Sequence, residues 1–186
     1  MLNELKEKLA EISKYIYMDV TDNLHEKTSD VGAFQEVIRN ATVLLDKTED
    51  EMERQFLLGT LGNLNRIIGV PEKAITHLTE SLAIARETKD VPREIAALIR
   101  LGEAVKYALR QNEALALFDE ALEKGEGEAH KYMDFALQHK GKCLLELERY
   151  EEAENSFLEA LRLRKEKGDQ PLIDSTQLAI DFVENK

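Results

Sequence analysis

The chain has one cysteine, three prolines and no tryptophan in 186 residues. A lone cysteine, Cys143, excludes an intramolecular disulfide and points to a reducing, cytoplasmic setting. No apolar run is long enough to cross a bilayer. The opening segment MLNELKEKLAEISKYIY carries charge at helical spacing, so it reads as neither a signal peptide nor a membrane span. Basic charge is scarce: 25 Lys and Arg stand against 37 Asp and Glu, for a net charge of −12. That balance argues against general binding of nucleic acid or of anionic membrane, both of which need a basic surface. No run of β-branched residues reads as a strand, and no glycine-rich segment has the spacing of a phosphate loop. No cofactor is expected.

What remains is 43% apolar and 33% charged, the composition of a soluble, ordered, helical protein. Its organisation is repetitive. TLGNLNRIIGVPEKAITHLTESL overlays RLGEAVKYALRQNEALALFDEAL and then HKGKCLLELERYEEAENSFLEAL. Gly62, Gly102 and Gly141 fall in register, as do Ala74, Ala114 and Ala153. Leu78, Phe118 and Phe157 follow, then Ser81, Ala121 and Ala160. Each copy splits into two helices, because apolar residues recur at three- and four-residue steps on both sides of a short break. Asp90 with Pro92, Gly125 with Gly127, and Gly168 with Asp169 and Pro171 punctuate the joints. A glycine in a helix interior costs about 1 kcal/mol relative to alanine. The expected compensation is a close contact between each glycine and the alanine twelve residues later, with the large residue of the next column filling the space beyond.

This pattern resembles the tetratricopeptide repeat, in a variety whose period is nearer forty residues than 34. HEAT and armadillo arrays share the period but lack the small-residue column. The resemblance implies an all-α, right-handed superhelical solenoid of antiparallel helix pairs with capping helices. Three repeats are expected within residues 55–166, at about 55–90, 91–127 and 128–168. Residues 1–54 read as an atypical pair, with helices over 2–19 and 33–47 and TDNLHEKTSDVG as a loop. Phe34 and Asp22 stand there where the small residues should be. Residues 171–184 read as a capping helix, with Leu172, Thr176, Ala179, Ile180 and Val183 on one face.

The resemblance also implies that the first helix of each pair lines a concave groove. Carried over by position, the groove residues are Asn63 and Arg66 in the first copy, beside Gly59, Thr60 and Ile67. The second copy supplies Ile99, Arg100, Glu103, Lys106 and Tyr107; the third supplies Gln138, His139 and Lys142, with Glu146. Arg66, Arg100, Lys106 and Lys142 outnumber Glu103 and Glu146, so the groove is net positive on an acidic protein. The reading is a non-enzymatic module that binds an acidic protein or peptide segment, with Tyr107 supplying a stacking surface. Its alternatives are a self-associating, homodimeric scaffold and a fragment resembling bacterial peptide-sensing regulators. Against the latter, residues 1–54 are short for the additional bundle of aspartate-phosphatase regulators, and no helix-turn-helix segment is present. Neither nucleic acid nor membrane is expected as a partner. Cys143, on the packed side of a first helix, reads as a buried and inert thiol. Glu126, His130 and Asp134 share helical spacing, but nothing completes a metal site, so they read as a solvated face.

Overall fold

The computed structural model describes residues 1–126 and 130–186, and is helical almost throughout. Helix α1 (Leu2–Ile12) leads through a 3₁₀ turn (Ser13–Tyr15) into strand β1 (Ile16–Asp19) and strand β2 (His25–Thr28). Eight helices follow: α2 (Val31–Leu45), α3 (Glu51–Ile67), α4 (Pro71–Glu87), α5 (Val91–Tyr107), α6 (Gln111–Gly125), α7 (Met133–Glu146), α8 (Tyr150–Lys167) and α9 (Gln170–Glu184). A 3₁₀ turn at His130–Tyr132 precedes α7. None of the described helices is long and apolar enough to cross a membrane.

The two strands correct the expectations of a helix over 2–19, of a loop after it and of a chain without strands. After Ile12 the run Tyr15–Ile16–Tyr17 favours extended backbone, whose aromatic and β-branched side chains pack well on a pleated surface. The strands pair antiparallel, Ile16 opposite Thr28 and Asp19 opposite His25. Asp19 organises the turn: its Oδ1 accepts from the Thr21 amide at 2.9 Å and from the Thr21 hydroxyl at 2.6 Å. Lys27 Nζ donates to Asp19 Oδ2 at 2.8 Å. That bond is the main reason the Asp19 carboxyl is lowered to about 2. Asn23 and Leu24 reverse the chain with φ of 46° and 61°.

Helix starts follow the sequence closely. The side chains of Asp50, Asp90 and Asp169 accept from the amides of Glu53, Arg93 and Leu172 at 2.7, 3.1 and 3.3 Å. Pro71, Pro92 and Pro171 sit in first turns, where no amide hydrogen is needed. Inside each pair the chain turns through a left-handed residue: Gly69 at φ 79°, Leu109 at 61° and Glu148 at 59°. Only the first of these is glycine.

The glycine column packs differently from expectation. A Cβ built on Gly62 would lie 2.3 Å from Leu78 Cγ. On Gly102 and Gly141 it would lie 2.6 Å from Cε1 of Phe118 and of Phe157. The large residue of each second helix therefore occupies the space where the glycine has no side chain. Ala74, Ala114 and Ala153 are fully buried, but they are not what fills that space. With each pair closed in this way, α3 lies beside α5 and α5 beside α7, forming an inner row.

The apolar interior has two parts. One joins α1, α2 and α3 through Leu5, Ile12, Phe34, Val37, Leu57 and Leu61. The other runs from α4 to α9 and includes Leu24 from the hairpin. At the far end Arg164, 2% exposed, donates to Asp134 Oδ2 at 3.1 Å and to the Thr176 hydroxyl at 2.7 Å. Lys167 also bonds Asp134, so α7, α8 and α9 are locked together. Asp134 is thus fully buried rather than solvated, and α6 ends before it at Gly125, so Glu126 and Asp134 do not share a helix. Among the described residues no His, Cys, Asp or Glu group could hold a metal ion. The joint residue Gly127 lies outside the described residues.

Gly62→Ala gains about 1 kcal/mol of helix propensity but loses about 1–3 kcal/mol to overpacking against Leu78. Its urea midpoint should fall. Combining it with Leu78→Ala should cost less than the sum of the two single changes. Leu109 is 77% exposed, so Leu109→Gly forfeits no packing. Relief of its left-handed backbone should raise stability by about 0.5–1 kcal/mol, read from the same denaturation curves.

Candidate functional site

The inner row sets side chains of α3, α5 and α7 side by side on the concave face. Asn63, Arg66, Ile99, Arg100, Glu103 and His139 line one cavity of about 270 Å³, together with Tyr132 and Phe135. A neighbouring cavity of about 240 Å³ is lined by Gln55, Phe56, Arg93 and again Arg100. These two share Arg100 and form an open trough along α3 and α5, from Gln55 and Arg93 to Arg66 and Glu103, with Glu26 of the hairpin at its far end. Lys106, Tyr107 and Lys142 lie farther along, toward the C-terminal ends of α5 and α7. Gln138 is buried, and neither of its side-chain polar atoms has a hydrogen-bond partner.

The C-terminal half of the concave face is covered by the chain's own hairpin. Glu26 reaches Arg66, whose Nη2 donates to Glu26 Oε2 at 2.7 Å and to Asn63 Oδ1 at 2.8 Å. Arg66 Nη1 lies 3.3 Å from Glu103 Oε1. The Tyr107 hydroxyl accepts from the Glu26 amide at 2.6 Å and lies 3.3 Å from the Glu26 carbonyl, to which it donates. The His25 ring stacks on Tyr107, with centroids 4.1 Å apart and planes 12° from parallel. Nε2 of His25 sits 2.6 Å from Glu146 Oε1, which also accepts from Lys106 Nζ at 2.6 Å. Lys106 and Arg66 both stand over the Tyr107 ring, at 4.7 and 4.9 Å from its centroid. Lys142 Nζ touches Met18 Sδ at 3.5 Å.

Three cations, Arg66, Lys106 and Lys142, are buried here, all at 4% exposure or less. They face three carboxylates, Glu103, Glu146 and Glu26, and the hairpin supplies the third. Burying such charges is costly unless each finds a counter-charge. Burial by itself would raise the Glu26 carboxyl, but Arg66, Lys142 and His139 outweigh it and hold it at about 2. Burial likewise works against Arg66, and Glu103 and Glu26 reverse that and raise it. Lys142 is lowered because burial outweighs Glu26 and Glu103. For His139 burial also dominates and brings the imidazole down to about 4, although Glu103 lies 3.1 Å from Nδ1. Burial pushes the Tyr107 hydroxyl up.

Several expected groove residues are therefore engaged within the chain rather than open. Arg66, Lys106 and Lys142 lie beneath the hairpin, and the stacking surface of Tyr107 is taken by His25. Arg100 differs. It is exposed at the edge of the trough, and among the described residues it has no carboxylate within 4.0 Å. A Cβ on Gly59 would come within 2.9 Å of Arg100 Nη1, so the glycine makes room for the guanidinium over α3. Desolvation of the guanidinium where it lies over α3 lowers Arg100, outweighing the opposing pull of Glu103. Cys143 is buried, donates to the Gln111 carbonyl at 3.3 Å and is pushed up to about 12 by burial, as befits an inert thiol. Sequence reasoning missed Met18, Leu24, His25 and Glu26. Its only signals for them were the aromatic and β-branched run at 15–17 and the turn-forming Asp22–Asn23.

Paired antiparallel helices, a repeated left-handed turn and an inner row of first helices define a right-handed helical-repeat solenoid. Residues 54–126 match the tetratricopeptide repeat family model, and this segment is a tetratricopeptide-repeat array. Residues 98–180 match the model for anaphase-promoting complex subunit 5. No curated protein matches the sequence significantly. Among solved structures the fold is similar to the apo form of RapI, at 18% identity and TM-score 0.69, over 84% of this chain and 58% of that one. It is similar to a Rap protein complexed with competence and sporulation factor, at 19% identity and TM-score 0.74, over 82% of this chain and 43% of that one. It is also similar to the TPR-like repeats of a putative kinesin light chain from Podosopora anserina, at 12% identity and TM-score 0.66, over 98% of this chain and 86% of that one. The chain thus spans little more than half the length of RapI and less than half of the other Rap protein.

The charge cluster predicts acid sensitivity of one sign. A histidine held at about 4 when buried, against 6.5 free, binds fewer protons folded than unfolded. The His139 contribution to stability should be fully present above pH 6.5 and be lost as pH drops from 6.5 to 4, by up to about 1.4 kcal/mol per unit. Glu26, held at about 2 against 4.5, adds a further loss from 4.5 downward. Urea midpoints at pH 7, 5.5 and 4 measure this, and His139→Gln should flatten the upper limb.

Proposed function

We propose that the protein is a non-enzymatic interaction module that holds an acidic protein or peptide segment in the open trough of its concave face. The observation that carries this reading is Arg100. The other concave cations, Arg66, Lys106 and Lys142, are buried under the hairpin, whereas Arg100 stands exposed between two adjoining cavities, with Glu103 in the same cavity but no carboxylate within 4.0 Å among the described residues. A partner carboxylate there gains a charge-assisted contact. The Asn63 amide, oriented by the bond from Arg66 to its Oδ1, turns its NH₂ donors away from that bond. Tyr132 and Phe135 add apolar area beside it. Because the trough is built from packed helices, binding costs little ordering of the protein itself. The Rap protein solved with competence and sporulation factor supports a bound factor on a solenoid of this fold.

Selection from a random-peptide phage library tests the reading. Peptides retained by the wild-type chain should be enriched in Asp and Glu. Arg100→Glu should lose them at least tenfold while keeping the wild-type helical circular dichroism. Retained peptides without acidic residues, or equal binding to Arg100→Glu, would sink it.

A further inference from the structure

The hairpin sits on the concave face as a ligand would. It is seated by side chains from three helices of the inner row: Arg66 of α3, Tyr107 of α5 and Glu146 of α7. Leu24 is fully buried, and it joins the apolar cluster of α4 to α9 rather than that of the N-terminal helices. His25 stacks on Tyr107 and Glu26 pairs with Arg66. Tyr107 also bonds the main chain of Glu26, a contact that any residue in that position would make.

Two features show that this occupancy is imperfect. Asn23 and Leu24 both hold left-handed backbone, which costs a leucine conformational strain. Lys142, almost fully buried, meets only the Met18 sulfur at 3.5 Å and has no carboxylate within 4.0 Å among the described residues. The hairpin thus leaves one buried cation without a proper acceptor. Its attachments are also divided. Tyr15 and Ile16 at its base pack with the α1–α2–α3 cluster, whereas Met18 and Leu24 at its tip pack with the repeat cluster. The apolar contacts of the tip are thus with the repeat cluster rather than with α1 or α2.

We propose that residues 16–28 are a built-in occupant of a second binding surface, and that an acidic segment of a partner protein displaces them. The segment carries an apolar residue two positions before a glutamate, matching Leu24 and Glu26, and a further carboxylate within reach of Lys142. This rests on the reading of the concave face as the binding surface, and it extends the site from the trough at Arg100 to the region the hairpin covers.

The probe is a fluorescein-labelled peptide of residues 16–28 added to the full-length chain, with binding followed by anisotropy. Leu24→Asp combined with Glu26→Lys opens the hairpin in the protein. The opened variant should bind the probe at least tenfold more tightly than wild type. A probe carrying Met18→Glu should bind it more tightly again, and Arg66→Glu added to the opened variant should abolish binding. Arg100→Glu added instead should leave binding of either probe largely unchanged, which separates failure here from failure of the trough reading. An opened variant that stays helical and unfolds cooperatively, yet binds the probe no better than wild type, overturns the proposal. Should the variant not fold, amide exchange of the wild-type chain decides. The Glu26 and Leu24 amides should exchange at least a hundredfold faster than those buried in α5, and equal protection overturns the proposal.

Discussion

A missing side chain governs the shape of the molecule. Leu78, Phe118 and Phe157 enter the space where Gly62, Gly102 and Gly141 have no Cβ, bringing the second helix of each pair against the first. Because the same contact recurs three times, the pairs meet at one repeated geometry and the first helices line up as an inner row. Everything on the concave face depends on that alignment. Arg66 and Glu103 come from different repeats, as do Lys106 and Glu146, and each pair is in reach only because the repeats stack in register.

The concave face then poses an electrostatic problem. Cations from three helices converge on a surface that the hairpin closes off from water, and buried cations persist only with counter-charges. Glu103 and Glu146 come from the repeats themselves. Glu26 comes from forty residues before Arg66, on a segment that belongs to no repeat, and it brings the three buried cations to balance. The hairpin is therefore an electrostatic component of the repeat face, even though its two strands form a sheet of their own.

Much of this was legible in the sequence, and the gaps have physical causes. Columns of small and large residues report helix–helix packing directly, so the three pairs and their turns could be read from residue spacing. What the glycine touches could not. Spacing shows that a gap exists, but whether an alanine or a larger side chain enters it depends on the crossing of the helices. The hairpin was illegible for another reason. Strands of four residues carry almost no periodic signal, and His25 and Glu26 look like solvated residues of a loop until the curvature of the array brings Tyr107 and Arg66 to them. The row Asn63, Arg66, Ile99, Arg100, Glu103 and His139 could be named from the repeat alone, yet its exposure could not, because exposure is decided by a segment outside the repeat.

This distinction alters what a positive groove means on an acidic chain. Counting Arg66, Arg100, Lys106 and Lys142 against Glu103 and Glu146 treats all four cations as available to a partner. In the folded chain most of that excess is already answered internally, and Arg100 alone of the four stands exposed, with no carboxylate within 4.0 Å among the described residues. An acidic partner meeting this surface therefore encounters a weak field at the trough and a stronger one only where the hairpin yields. Affinity and selectivity are then separable: Arg100 rewards any carboxylate, whereas the covered region rewards only a segment able to match Leu24 and Glu26 together. A surface divided in this way discriminates by the difference between two binding energies rather than by net charge.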